Sequence, residues 1–518
     1  MRILVPEHAS GRLGDAWRFC VGTGRFDLAL RRDYQDSLAL VQQDIGFRHI
    51  RGHGLFSDGV GVYRPFEFGG RRVRHVYSYV DQVVDAYLSL GIAPFLELGF
   101  MPSELASGPH TVFWWNGNVT PPSSEREWAD LVRATLRHLV GRYGLDQVRT
   151  WPIEVWNEPD LPDFWGPTRD AGILAGQAAY HRLYEITAAA VKDVDASLPV
   201  GGPAISPGAD DGWLSRFAAF AVDRGVPVDF VSRHAYTSGP ARHIPFGVRQ
   251  SLAPAAALLD QFAQPRSQLQ GTPLAEVPVH ITEFNSSYRP DNPVHDTAFQ
   301  AAYLAPVVTA AGELVDSFAY WTFCDVFEEV GVPASVLHGG FGLLAHRQIK
   351  KPAYHLYAFM ARLGQQILAR GDDHLVTRDE SGRIAVLAWS PATVDGGEHR
   401  IALSLPMPAD RAFVLRSRVN EEMGNAWTAW SRMGRPASPG HWQLDALREA
   451  AEPVRSHESR CAEAGRVDLD IVLERNEITL VEVTAVVDET PPGWDDRIVL
   501  PRRPQPGEPG AASGGEPS

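Results

Sequence analysis

The chain reads as an α/β protein: a (β/α)8 TIM barrel with an accessory β-sandwich domain. Three observations predict this. Up to about residue 350, short β-rich runs alternate with amphipathic helical stretches; the strand-like runs number eight; and past about Lys351 the pattern turns to period-two runs. The barrel is expected over 15–350 and the sandwich over 351–495, with residues 1–14 a candidate addition to the sandwich and 496–518 a disordered tail.

The first unit is FCVG (19–22) before YQDSLALVQQDIG (34–46). FRHIRGHG (47–54) then precedes YSYVDQVVDAYLSLG (77–91), and APFLELG (93–99) precedes REWADLVRATLRHLVGRYG (126–144). In this last helix Trp128, Leu131, Val132, Leu136, Leu139 and Val140 recur at i, i+3 and i+4, which gathers them on one buried face. WPIEVWNEP (151–159), LPVGGPA (198–204), VDFVSRHAY (228–236) and VPVHITEF (277–284) each precede a further helical stretch, and DSFAYWTF (316–323) brings the strands to eight. Eight parallel strands close a barrel; an open doubly wound sheet is the competing topology. Gly141, Gly144 and Gly331 are read as breaks between elements.

Beyond Lys351, RIAVLAWSP, HRIALSLPMP, RAFVLRSRV, VDLDIVLERN and ITLVEVTAVV alternate apolar and polar residues between turn signals, as sandwich strands do. From ETPPGW (489–494) onward Pro, Gly, Ser and charge increase, and PRRPQPGEPGAASGGEPS (501–518) is too polar to bury a core.

The 63 acidic residues outnumber the 48 basic ones, and the resulting charge of −15 repels nucleic acid and anionic lipid. No stretch approaches a membrane span, and the amino end lacks the apolar run of a signal peptide. Cys20, Cys324 and Cys461 are odd in number and widely spaced, so no disulfide framework or zinc knuckle is implied. A cytoplasmic enzyme is the expectation. The sequence leaves open whether it forms a homo-oligomer.

VWNEPD (155–160) delivers Asn157 and Glu158 to the end of the fourth strand, and ITEF (281–284) delivers Glu283 to the end of the seventh. Strands four and seven face one another across a barrel mouth, where barrel chemistry resides. Two carboxyls about 5–5.5 Å apart suit retaining glycoside hydrolysis, one attacking the anomeric carbon while the other protonates the departing oxygen. A single strand-end glutamate is more often a helix cap or a salt-bridge partner; the pair carries the information.

EVWNEPD, ITEFNSSY, GFRHIRGHGLFSDGVGVY, FLELGFMPSELASG, GNVTPP, YWTFCDVFEEVGVPASVLHGGFGLL and VNEEMGNAWTAW together resemble glycoside hydrolase family 39, in its β-xylosidase branch, from about residue 15 to beyond 430. The NEP string alone is shared with the wider 4/7 barrel superfamily. The resemblance implies Glu158 as general acid/base, Glu283 as nucleophile, and Asn157 as the amide that bonds the sugar 2-hydroxyl. It also suggests that His53 and His234 bond ring hydroxyls, that Tyr236 orients Glu283, and that Trp321 forms an apolar floor under the sugar. Glu328 and Glu329 stand in FEE after the eighth strand; at least one is pointed toward the far hydroxyls, with Glu329 favoured. TVFWWNGNVTPP (111–122) is expected either to wall the entrance or to pack the loop.

The mechanism needs no metal or cofactor, and neither HExxH nor a strand-following GxGxxG occurs. Cys324 is read as a small buried apolar residue. The expected function is therefore an exo-acting, retaining β-xylosidase acting on small oligosaccharides. The alternatives are another specificity on the same machinery (α-L-iduronidase, β-glucosidase or an arabinose-releasing enzyme) or an inactive carbohydrate-binding protein. An iduronidase would want a cationic clamp for the uronate, against which the acidic FEE loop argues.

Overall fold

In the computed structural model, which describes residues 2–67, 70–390 and 398–495, the eight strand-like runs close into a parallel barrel. Its strands are β1 Cys20–Gly22, β2 His49–Gly52, β3 Ala93–Leu98, β4 Ile153–Val155, β5 Val200–Ile205, β6 Phe230–Ala235, β7 Val279–Phe284 and β8 Ser317–Tyr320. Each pairs with the next, and β8 closes onto β1 with Ala319 opposite Cys20. The open-sheet alternative is thereby excluded. The expected tail, 496–518, lies outside the described residues.

A helix follows every strand: α1 Arg32–Asp44, α2 Ser78–Ser89, α3 Glu125–Tyr143, α4 Ile173–Lys192, α5 Trp213–Arg224, α6 Ala256–Leu269, α7 Ala298–Ala310 and α8 Pro352–Ala361. In α3 the Ser124 side chain caps the amino end by accepting from the Glu127 amide, and Glu125 and Glu127 complement the helix dipole. Trp128, Leu131, Val132, Leu136 and Leu139 are buried as their spacing predicts, Val140 at the end of the face is only partly buried, and Trp128 Nε1 donates to Thr187 Oγ1 of α4. Gly144, at φ +85°, ends the helix. Gly141 does not mark a break: it lies inside α3 on the solvent side, because one glycine costs a helix only about 1 kcal/mol, which the buried face outweighs.

The barrel interior changes character along its axis. Cys20, Phe95, Phe230 and Ala319 pack together across it. Two residues further along their strands, Glu97 and Ser232 begin a polar layer with Arg51, Glu154 and Thr282, all buried. Charges buried at that depth must be paired, and their pairing builds the site described below.

Helix α8, beyond the expected 350/351 boundary, buries Tyr354, Leu356, Tyr357 and Phe359 in the barrel's own core. The period-two runs after it form a seven-stranded and a three-stranded sheet that share a core of Val376, Val386, Leu403, Leu469, Ile471 and Val483. The amino terminus is stitched into both: Ile3–Leu4 pairs in parallel with Leu403 and Ser404, and Gly11–Arg12 antiparallel with Gln366 and Ile367. Two helices inserted in this region, Ala426–Arg432 and His441–Ala450, bury Trp430 and Leu447 against Val336, Leu337 and Ile349 of the segment joining β8 to α8. The accessory domain thus braces a loop at the barrel mouth. No helix among the described residues is long and apolar enough to cross a membrane.

Candidate active site

A cavity of about 840 Å³ opens at the carboxyl ends of the strands, and His53, Asn157, Glu158, Tyr236, Glu283, Trp321 and Glu329 all line it. Glu158 stands just past β4, where the backbone turns through left-handed conformations at Trp156 (φ +71°) and Glu158 (φ +41°). Non-glycine residues adopt this region only when held there. Bonds to the neighbouring β5 end hold it: the Glu158 amide donates to Ala204 O at 3.0 Å, and Asp160 accepts from the Ser206 amide and hydroxyl.

Glu283 comes from β7 by way of a bulge. Thr282 faces inward to donate to Glu154 at 2.9 Å, yet Glu283, its immediate neighbour, faces the cavity as well. Successive residues of a regular strand point to opposite faces; the pairing register against β6 shifts here, from Arg233 opposite Ile281 to His234 opposite Glu283, and the extra residue re-aims the carboxylate.

The His234 ring bridges the two carboxylates. Its Nδ1 is 2.9 Å from Glu158 Oε1 and 3.6 Å from Glu283 Oε2. One bridging atom bounds the separation of those oxygens at the lower edge of the range, about 6.5 Å, at which inverting glycosidases begin to seat a water between their carboxyls. Direct displacement at a single carbon fits the gap. His234 does not itself line the cavity: it is fully buried behind the pair, so its contact is to the carboxylates instead of to ring hydroxyls as expected. Burial, together with the Arg51 and His53 charges, holds its pKa well below the usual histidine range, so the ring is neutral.

Arg51 organises the floor. Its guanidinium donates to Glu154 at 2.6 Å, to Glu283 Oε1 at 2.8 Å and to Asn157 Oδ1 at 2.9 Å, and lies 3.0 Å from Glu97. Because arginine only donates, the Asn157 oxygen must face it, which turns the Asn157 NH2 away as a free donor. Tyr236 donates to the other Glu283 oxygen at 2.8 Å. His53 Nδ1 bonds Glu97 at 2.7 Å, leaving Nε2 3.7 Å from Glu283 and 3.8 Å from Glu329. Burial opposes a charged His53, but Glu97 and Glu283 outweigh it and raise the pKa.

Burial, reinforced by the Glu283 and Asp160 charges, raises Glu158 well above the ordinary glutamate range, so it holds its proton tightly. Burial also pushes Glu329 up to about 8, with Glu283 and Glu97 adding to it and His53 opposing. Glu328 lies apart from the cavity. Its two oxygens accept from Arg25 at 2.7 Å and Arg31 at 2.8 Å, both on the β1 loop, so of the FEE pair only Glu329 reaches the lining. From the 111–122 stretch, Val112 and Phe113 wall the cavity, and the Trp114 amide donates to Glu329 O at 2.7 Å. Cys324 is buried in the barrel core.

The model of Glycosyl hydrolases family 39 matches residues 1–468. The chain belongs to that family. It is 47% identical over 493 residues to a β-xylosidase of Geobacillus stearothermophilus, covering 94% of this chain and 96% of that one. It is 34% identical to a β-xylosidase of Caldicellulosiruptor saccharolyticus, covering 85% and 89%. In fold it is similar to a monomeric β-xylosidase from Caulobacter crescentus CB15, with a TM-score of 0.83 and 30% identity over 94% of this chain and all of that one.

Four residues of this family 39 site escaped the sequence reading: Arg51, Glu97, Glu154 and Asp160. A signal for two of them was present. Glu97 and Glu154 each interrupt a strand otherwise apolar enough to be buried on both faces, and a buried charge there implies a partner on another strand. Among the described residues no group of three or more His, Cys, Asp or Glu side chains is arranged to hold a metal ion.

Proposed function

We propose that this family 39 hydrolase is a retaining exo-β-xylosidase, releasing terminal β-D-xylose from short xylo-oligosaccharides by double displacement. The observation that carries the reading is the facing of Glu158 and Glu283 within reach of one His234 nitrogen, in a chain 47% identical to a β-xylosidase. Glu283 attacks the anomeric carbon while Glu158 gives its proton to the departing oxygen; Glu158, now a base, takes a proton from water, which releases the sugar from Glu283. Arg51 and Tyr236 each occupy one Glu283 oxygen and orient the attack. The outward NH2 of Asn157 meets the 2-hydroxyl, and a bond there strengthens as the ring flattens toward the oxocarbenium ion. Trp321 floors the ring, while His53 and Glu329 take the remaining hydroxyls.

A uronate-specific site is disfavoured. The cationic Arg289 at the cavity wall is forked onto Asp291, at 3.1 and 3.3 Å, and Arg51 is committed to the carboxylates beneath. A cytoplasmic setting is supported by three cysteines that are all unpaired. The test is Glu283→Ala with a nitrophenyl β-xyloside: activity is expected to vanish, and added azide to restore turnover with an inverted xylosyl azide as product. Near-normal turnover without azide would discard the assignment. Glu158→Ala should glycosylate quickly from substrates with good leaving groups and slowly from poor ones; equal slowing of both would remove the acid role.

A further inference from the structure

We propose that Lys351 is a positioning residue for the sugar pocket: buried between Asp296 and Asp325, it fixes the segment after β8 so that Glu329 meets the sugar. The proposal rests on the role given to Glu329 above.

Lys351 Nζ lies 2.7 Å from Asp296 Oδ1 and 2.7 Å from Asp325 Oδ2, and all three side chains are 0% exposed. The remaining hydrogen bonds of the triad go to one stretch of backbone. Lys351 donates to Gly340 O at 2.8 Å, Asp296 Oδ2 accepts from the Gly339 amide at 2.7 Å, and Asp325 Oδ1 accepts from the Gly342 amide at 2.7 Å. The HGGFG string is shaped for this grip. A Cβ on Gly340 would stand 2.4 Å from Asp325 Oδ1, and one on Gly342 2.5 Å from the Cys324 carbonyl carbon; Gly339 adopts φ +80° hard against Asn292. Only glycine lets backbone and carboxylates come so close.

Phe341, the residue held inside this grip, lines the cavity. It meets Phe327 edge-on at 5.4 Å, and Phe327 meets Trp321 edge-on at 6.1 Å. Between the two anchored ends, Asp325 and Gly342, the chain carries Glu328, tied to the β1 loop, and Glu329, tied by its carbonyl to Trp114. A buried triad of charges is a poor source of stability, since apolar replacements of equal volume are commonly neutral or stabilising. What it supplies is one conformation of a long segment that has little regular structure.

The test replaces the triad without leaving a lone buried charge: Asp296→Asn/Asp325→Asn/Lys351→Met, assayed with 4-nitrophenyl β-D-xyloside. KM is expected to rise about tenfold while kcat stays within about threefold, the pattern of lost ground-state binding. In a Glu329→Gln background the same triple change should raise KM by less than about twofold, because coupled residues are not additive. An unchanged KM, or the full tenfold rise in the Glu329→Gln background, overturns the proposal; a merely structural triad gives the latter. Asp296→Asn alone, which keeps the Lys351–Asp325 pair, should shift KM in the same direction by less, and a fully folded single variant with wild-type KM overturns it too. The functional reading fails separately, in the azide experiment, and KM remains readable on whatever glycoside the enzyme cleaves.

Discussion

Arg51 shows how one cation settles the orientation of its neighbours. It faces three carboxylates and an amide, and each is turned by the bond it makes. The protons matter as much as the geometry. Glu329 has a folded pKa of about 8 against an ordinary value of 4.5, so the folded state grips its proton more tightly than the unfolded chain does. The stability this group contributes is therefore whole below its unfolded pKa and is lost as pH rises through about 8, where an ionised carboxylate must stay buried. Glu158, also raised, acts in the same direction. Glu329→Gln is neutral at every pH and escapes the loss. By calorimetry, its melting temperature should gain on the parent's between about pH 5 and about pH 9; a constant difference would contradict the shift.

Among the elements, β1 and α3 use glycine for opposite reasons. A Cβ on Gly22 of β1 would stand 2.2 Å from the Trp321 ring, whereas one on Gly141 of α3 would touch nothing within 4 Å. Gly22→Ala must displace the indole, so a stability loss of about 1–3 kcal/mol is expected, with a raised KM for the xyloside. Gly141→Ala gains helix propensity and should stabilise by about 0.5–1 kcal/mol with kinetics unchanged. Urea denaturation and steady-state kinetics on both variants decide the matter: equal effects would mean that the indole moves freely. The bulge in β7 belongs here too. Period-two reading of VHITEF assigns Thr282 and Glu283 to opposite faces, and only the shifted register against β6 brings both inside.

For the molecule as a whole, the accessory domain is closed by residues from the other end of the chain. Ile3–Leu4 and Gly11–Arg12 add to its two sheets, Val5 is fully buried in its core, and Arg466 donates to Val5 O at 2.7 Å. Deleting residues 2–12 should therefore split thermal unfolding into an early transition for the sandwich and a later one for the barrel. A single transition at the parent temperature would show that the stitching is idle. Because Trp430 and Leu447 of this domain pack on the segment after β8, the early transition should also raise the KM of the xyloside as it is approached.

The alternation of strand and helix was legible in the chain because burial leaves local marks: the eight barrel strands are short β-rich, largely apolar runs, and the buried face of α3 follows from its i, i+3, i+4 spacing. Glu158 and Glu283 were legible as well, since each follows an apolar run at a strand end, and the family strings point to the same two positions. Other features had no local signature. The bulge under Glu283, the left-handed turn at Glu158, the retreat of Glu328 to Arg25 and Arg31, and the seat of His234 behind the carboxylates all depend on partners far away in sequence. Spacing along a chain reports which face a residue prefers. Which charge it meets there is set only when closure of the barrel brings distant strands together, and burial then requires every charge to find a partner.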